Sequence, residues 1–269
     1  MDKNAHAVGK RHYRSKTLVF KRTAATLLTL LVLFLSGGCQ GIPSTIDVTV
    51  ETPPPAALTE VPPAFEERSI ISVPQGRPIA IDGTMSPGEW DAAGVETFSD
   101  GGALFLMYNE GFLYLGIRGD SPEMIAANVF IDRGSEIAVL HASAALGTAI
   151  YAKGTGAWQR SQDFVWRCRR ADDGEAATAE REAFLREERW LAANSRMGTP
   201  NEIEYQIEMT DETLRLAVNF VNASATDVKI HWPIDLDDDC VIPTPGGMPP
   251  QMDFDPDQWR TIGTSLPGR

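Results

Sequence analysis

The chain has 269 residues, with 24 Lys and Arg against 37 Asp and Glu, 43% hydrophobic and 23% charged residues. These proportions exclude a disordered, collagen-like, disulfide-dense or multi-span membrane protein. The charge is uneven: the first 38 residues hold seven bases (Lys3, Lys10, Arg11, Arg14, Lys16, Lys21, Arg22) and one acid, Asp2, leaving 17 bases, 36 acids and a net charge of −19 for the rest. A surface this acidic has no electrostatic footprint for nucleic-acid phosphates.

Residues 23–35 (TAATLLTLLVLFL) form an uncharged, Leu-rich run after the basic stretch, ending at Ser36, Gly37, Gly38 and Cys39. At about 1.5 Å per residue the run covers roughly 20 Å, short of the ~30 Å hydrocarbon core. Residues 1–38 therefore read as an export signal. The small residues before Cys39 resemble the lipobox of bacterial lipoproteins, which implies cleavage, a lipid on Cys39 and an extracytoplasmic protein held to the membrane by that anchor. Residues 39–68, with Pro43, Pro53 to Pro55, Pro62 and Pro63, form a Pro-rich tether. Setting Cys39 aside leaves Cys168 and Cys240, either a disulfide or two buried thiols. A bridge would close a loop of about 72 residues and contribute ~4 kcal/mol.

From residue 69 to 269 the hydrophobic period becomes two. Short apolar or alternating runs at 69–73, 78–81, 103–108, 112–118, 127–132, 137–142 and 148–152 continue at 157–166, 202–209, 214–221 and 228–232. Asn109-Glu110-Gly111 between two such runs marks a hairpin. This spacing predicts one mainly β domain, an antiparallel sandwich of jelly-roll type. Residues 175–193 break the pattern, being rich in Ala, Glu, Arg and Leu without Gly or Pro, and predict an inserted helix. Its Ala177, Phe184 and Leu191 fall on one stripe, and Glu182 can pair with Arg186.

The succession I-A-I-D-G (79–83), P-G-E-W (87–90), L-F-L-M-Y-N-E-G-F-L-Y-L-G-I-R-G-D (104–120) and N-V-F-I-D (128–132) resembles the family 9 carbohydrate-binding modules and the wider DOMON-like β-sandwiches. That resemblance covers about 55 residues, and short motifs of this kind identify a fold better than a ligand. It implies a core role for Trp90, Leu104, Leu106, Leu113 and Leu115. It also implies non-catalytic ligand binding in which aromatic rings stack on a sugar and amides and charges bond its hydroxyls. Here the aromatics available are Trp158, Trp166, Trp232 and Trp259, near Gln159 and Arg160. Trp158 and Trp166 are eight apart and would share a face of an unbroken strand.

Catalytic patterns are missing from the sequence. There is no nucleophile elbow, no H-E-x-x-H and no phosphate loop, and outside the signal only His141 and His231 remain. Some DOMON-like relatives bind haem through Met and His; Met107 or Met124 with His141 or His231 match that set in residue type but not in any fixed spacing. The acidic run Asp235, Asp237, Asp238, Asp239 departs from the EF-hand loop, with Cys240 in place of glycine and Gly246 in place of glutamate. It reads either as an irregular calcium site with Asp132 or as a solvated charge cluster. The expected function is ligand binding outside the cytoplasm, with a glycan first, an envelope protein partner second, and a glycan-processing enzyme or haem protein third.

Overall fold

The computed structural model describes residues 70–99, 101–236 and 248–264, all within the unit spanning Val61–Arg269. The signal, Cys39, the tether, Asp237 and Cys240 lie outside the described residues. Cys168 is a buried free thiol whose pKa burial pushes up to about 11.

The domain is mainly β, with one α-helix. In chain order the strands are β1 (Ile71–Val73), β2 (Gly94–Thr97), β3 (Ala103–Asn109), β4 (Phe112–Arg118), β5 (Ile125–Asp132), β6 (Glu136–Ala142) and β7 (Leu146–Lys153). They continue as β8 (Trp158–Gln162), then the helix α1 (Glu175–Glu188), β9 (Trp190–Ala192), β10 (Glu202–Glu208), β11 (Thr213–Asn222), β12 (Ala225–Trp232), β13 (Gln251–Met252) and β14 (Arg260–Thr264). Nine strands form a large sheet in the order β1-β14-β11-β5-β6-β7-β8-β13, with β12 also on β11. Five form a smaller one, β2-β3-β4-β10-β9. All pairings are antiparallel except β1 with β14. The two sheets make a β-sandwich.

The expected core residues Trp90, Leu104, Leu106, Leu113 and Leu115 are all buried. The four leucines face Ala127, Val129 and Ile131 of β5, and Trp90 joins the same continuous cluster from the outer face of the small sheet. Three side-chain hydrogen bonds among the described residues cross between the sheets: Tyr205 Oη donates to the Ala127 carbonyl (3.1 Å), Trp190 Nε1 to Thr148 Oγ1 (2.9 Å) and Trp232 Nε1 to Glu96 Oε2 (3.4 Å).

Three local expectations are corrected. Residues 78–81 form no strand but lead into the Asp82-Gly83 turn. The helix stops at Glu188 because Arg189 adopts a left-handed conformation (φ 64°) and its N–H closes on Leu185 O. Trp190-Leu191-Ala192 then pairs with β10, so Leu191 is buried from a strand and not from the helical stripe. A large aromatic followed by Leu is at home in either element, and pairing with an open sheet edge decides the case here. The Glu182–Arg186 pair does form, at 3.9 Å. Last, β8 ends at Gln162, well short of residue 166.

The IDG and EW motifs roof the outer face of the small sheet. Glu204 on β10 is fully buried: its Oε2 accepts from the Asp82 and Gly83 N–H groups (3.1 and 2.9 Å), and its Oε1 accepts from Trp90 Nε1 (3.1 Å). Two residues earlier, Glu202 accepts from Met85 N (2.9 Å) and Arg118 Nε (2.7 Å). The roof needs glycine beneath it, since a Cβ on Gly116 would press on Met85 and Trp90. At the turn, Gly83 has φ +83° and a Cβ on Gly198 would overlap the Gly83 backbone.

Two tests follow from the roof. Gly198→Ala is expected to lower unfolding free energy by roughly 1–3 kcal/mol, because the clash is with backbone that cannot rotate away. Denaturant titration would show it, and an unchanged midpoint would contradict the packing. Burial raises the Glu204 pKa from 4.5 to about 7, against the opposing pull of its three donors. The folded state then holds this proton more tightly than the unfolded chain, so the Glu204 contribution is largest below pH 4.5 and declines as pH rises to about 7. Glu204→Gln should lack that decline, read as the pH dependence of the difference between the two proteins.

Candidate functional site

The strand pattern puts Ala126, Asn128 and Phe130 of β5 on the outer face of the large sheet, away from the sandwich core. Half of that face is covered. Phe130, Val139, Tyr151 and Trp158 pack beneath Phe254 and Trp259, which the carboxyl-terminal segment carries back over the sheet. The other half holds a polar row set by register: His231 opposite Asn219, Asn219 opposite Asn128, Asn128 opposite His141, and His141 opposite Gly147.

Glycine at 147 lets an aromatic group lie on the sheet. A Cβ there would overlap the Phe164 ring and the Val165 carbonyl. After β8 the chain turns back, so that Arg167 N–H donates to Leu146 O (2.9 Å) and Leu146 N–H to Cys168 O (2.8 Å). Arg167 also pairs with Glu187 and Glu188 in the last turn of α1, tying this segment to the helix. Phe164, Trp166 and His141 consequently meet edge to face, with centroids 4.8 Å (Phe164–Trp166), 5.7 Å (His141–Phe164) and 5.1 Å (His141–Trp166) apart.

These three rings wall a pocket of about 290 Å³ at the end of the sheet, whose other sides include Met124, Ala126, Val221 and Met248. Met124 (42%), Val165 (58%) and Trp166 (37%) are among the exposed large apolar residues of the described chain. Ser143 and Ser195 are its polar margin on one side and Thr226 on another. None of the lining residues is Lys, Arg, Asp or Glu.

His141 is the one ionisable imidazole there, and burial lowers its pKa to about 4. Its Nδ1 lies 2.7 Å from Asn128 Oδ1 and its Nε2 3.1 Å from Ser143 Oγ. Serine, histidine and asparagine in this order have the outline of a nucleophile relay. Asparagine, however, brings no charge to stabilise an imidazolium, and a ring of this pKa is a weak base at neutral pH. The arrangement fixes a hydrogen-bond acceptor rather than activating a nucleophile.

The tryptophans expected to act together are placed apart. Trp158 is buried under the carboxyl-terminal segment, its Nε1 donating to Phe254 O (2.9 Å), so neither ring face is open for stacking. Trp232 is buried on the sandwich side, with Nε1 3.4 Å from Glu96 Oε2. Arg160 is turned to Met248 O and Asp163, and Gln159 is exposed on a strand that pairs with Gln251. The shared face expected for Trp158 and Trp166 is lost because β8 ends between them. Trp166 alone of the five named residues reaches the pocket.

Of the expected calcium ligands, Asp132 accepts from Gly134 N (2.8 Å) and pairs with Arg215 (3.5 Å), and Asp235 lies 3.4 Å from Arg260. No group of three or more His, Cys, Asp or Glu is placed to hold a metal ion among the described residues. Of the methionines weighed for haem, Met107 is in the sandwich core. Met124 shares the pocket with His141, whose two ring nitrogens are already engaged.

A neutral His141 has a measurable consequence. Its folded pKa lies below the unfolded value of 6.5, so its contribution to stability is complete above pH 6.5 and is lost as pH falls toward 4. This slope opposes that of Glu204, and the His141→Gln variant separates them by removing only the acid-side loss. Nitrogen chemical shifts of the imidazole should report the Nδ1–H tautomer at pH 6; a charged ring there would contradict the lowering of its pKa by burial. Comparison of the chain with protein-family models, with curated proteins and with solved structures gave no match.

Proposed function

We propose that this chain is a non-catalytic binding module, displayed outside the cytoplasm by a lipid on Cys39 and the Pro-rich tether, that takes a glycan or another extracytoplasmic ligand against Trp166. The observation that carries the reading is the half-exposed Trp166 ring at the mouth of the pocket, backed by Phe164 and His141. An indole face held rigidly by neighbouring rings loses little entropy when a ligand ring stacks on it. The acidity of the exported part favours neutral or cationic ligands and gives colloidal spacing from the envelope. The anchor supplies the attachment that such an acidic surface would not provide by itself.

Two measurements test this. In pull-downs on insoluble polysaccharides and on a glycan array, Trp166→Ala should reduce retention at least tenfold while leaving the melting temperature nearly unchanged. Trp158→Ala should instead destabilise the fold by roughly 3–5 kcal/mol, as expected for truncating a buried tryptophan. Equal glycan retention by the parent and Trp166→Ala would reject the site. For the anchor, cells fed an alkynyl fatty acid should label the parent and not Cys39→Ser; equal labelling would remove the lipid from the proposal.

A further inference from the structure

The hydrogen-bond polarity of the outer sheet face can be followed residue by residue. Asn128 Nδ2 donates to Asn219 Oδ1 at 2.8 Å, which turns Asn128 Oδ1 toward His141 as an acceptor. His141 Nδ1 therefore carries the ring's proton. A neutral imidazole has one N–H, so Nε2 accepts, and the Ser143 hydroxyl 3.1 Å away donates to it. The single proton of Ser143 is thereby committed to the protein, and its oxygen lone pairs remain to accept from a group in the pocket.

The rest of the wall defines what that group is attached to. Its side chains are mostly Met, Ala, Val, Phe and Trp, and no charged residue lines it. An ion brought into such a space would lose hydration without gaining a counter-charge. The volume of about 290 Å³ is roughly twice that of an engineered cavity of about 150 Å³ that accepts benzene. One or two rings, or a short alkyl body, fill it. A hydroxyl-rich ring is confined to the exposed face of Trp166 at the mouth, because inside the pocket both nitrogens of His141 are already bonded and only Ser143, Ser195 and Thr226 remain to satisfy several hydroxyls.

Resting on the reading that Trp166 marks the binding site, we infer that the pocket receives an uncharged, compact apolar group ending in a hydrogen-bond donor, which bonds to Ser143 Oγ. Aromatic alcohols are the simplest members of this class. The ligand's polar end faces β6, and its apolar body lies between Trp166, Phe164 and Met124.

Calorimetric titration of the full chain with 1-naphthol and 1-methoxynaphthalene tests this, because the two probes share a two-ring body and only the first has a donor. Trp166→Ala in the same buffer gives the baseline for non-specific uptake. The parent should bind 1-naphthol saturably and 1-methoxynaphthalene about fivefold to tenfold more weakly, the size of one neutral hydrogen bond. Ser143→Ala should bring the two affinities together, and Ser143→Thr, which keeps the hydroxyl, should restore the gap. Equal affinities in the parent, a gap that persists in Ser143→Ala, or naphthol uptake no greater than in Trp166→Ala would each overturn the inference. Polysaccharide retention by the same samples keeps the two readings apart. If retention survives while naphthol does not bind, this inference fails alone; if both are lost, the binding-module reading fails with it.

Discussion

The carboxyl group of Glu204 ties the loop from Asp82 to Trp90 onto the small sheet. It sits fully buried on the outer face of the small sheet and accepts from the backbone of Asp82 and Gly83 and from the indole of Trp90. Those three donors belong to a loop that has no strand ladder of its own, so without Glu204 the Gly83 N–H and the Trp90 indole would be buried and unpaired at a cost of about 1–3 kcal/mol each. The loop thus anchored seals β4, which explains why Leu113 to Ile117 are buried on both faces rather than on alternate residues. It also holds the helix, since Arg181 donates to the Ile81 carbonyl (2.5 Å). Through α1 the constraint continues to Arg167 and hence to the segment bearing Phe164 and Trp166.

The large sheet meets a different problem. It has more strands than the small sheet can cover, and both of its faces carry apolar residues. The carboxyl-terminal segment covers part of the surplus with Phe254 and Trp259, and the turn after β8 covers part with Phe164. The pocket is the space left between these two coverings, which is why Met248, at the start of the carboxyl-terminal segment, belongs to both the outer apolar cluster and the pocket wall. The cavity is a by-product of incomplete roofing on an open sheet, stabilised by aromatic contacts.

Much of the fold was legible because period-two runs and turn residues report backbone pairing directly. The hairpin at Asn109-Glu110-Gly111 followed from turn residues between alternating runs, and the core leucines of β3 and β4 from the family resemblance. The end of the helix was not legible, because Arg189, Trp190 and Leu191 have no intrinsic preference strong enough to mark a change from helix to strand; the free edge of β10 decides it. The site was half legible. Trp166 was identifiable as an aromatic in a polar stretch, yet its pairing with Trp158 assumed a continuous strand, and Trp158 is claimed by Phe254, 96 residues away in the sequence. Asn128 and Asn219 did carry a signal: each is an amide with apolar neighbours on both sides in its strand, a position where an unpaired polar group would be costly. What could not be read is that the two stand opposite each other and beside His141, since register across non-adjacent strands depends on the whole sheet.

The alignment of amides across β11, β5 and β6 gives the pocket an inherited polarity. Every donor in the series points one way, from Asn128 to Asn219 and from His141 to Asn128, so the orientation of one amide on β11 determines which end of the Ser143 hydroxyl is left for a visitor. Under the proposed reading, selectivity in the pocket is set two strands away, at Asn219, a residue that does not line it. Related sequences could exchange a donor-bearing ligand for an acceptor-bearing one by reversing that amide's partner, with the visible wall of the pocket left intact.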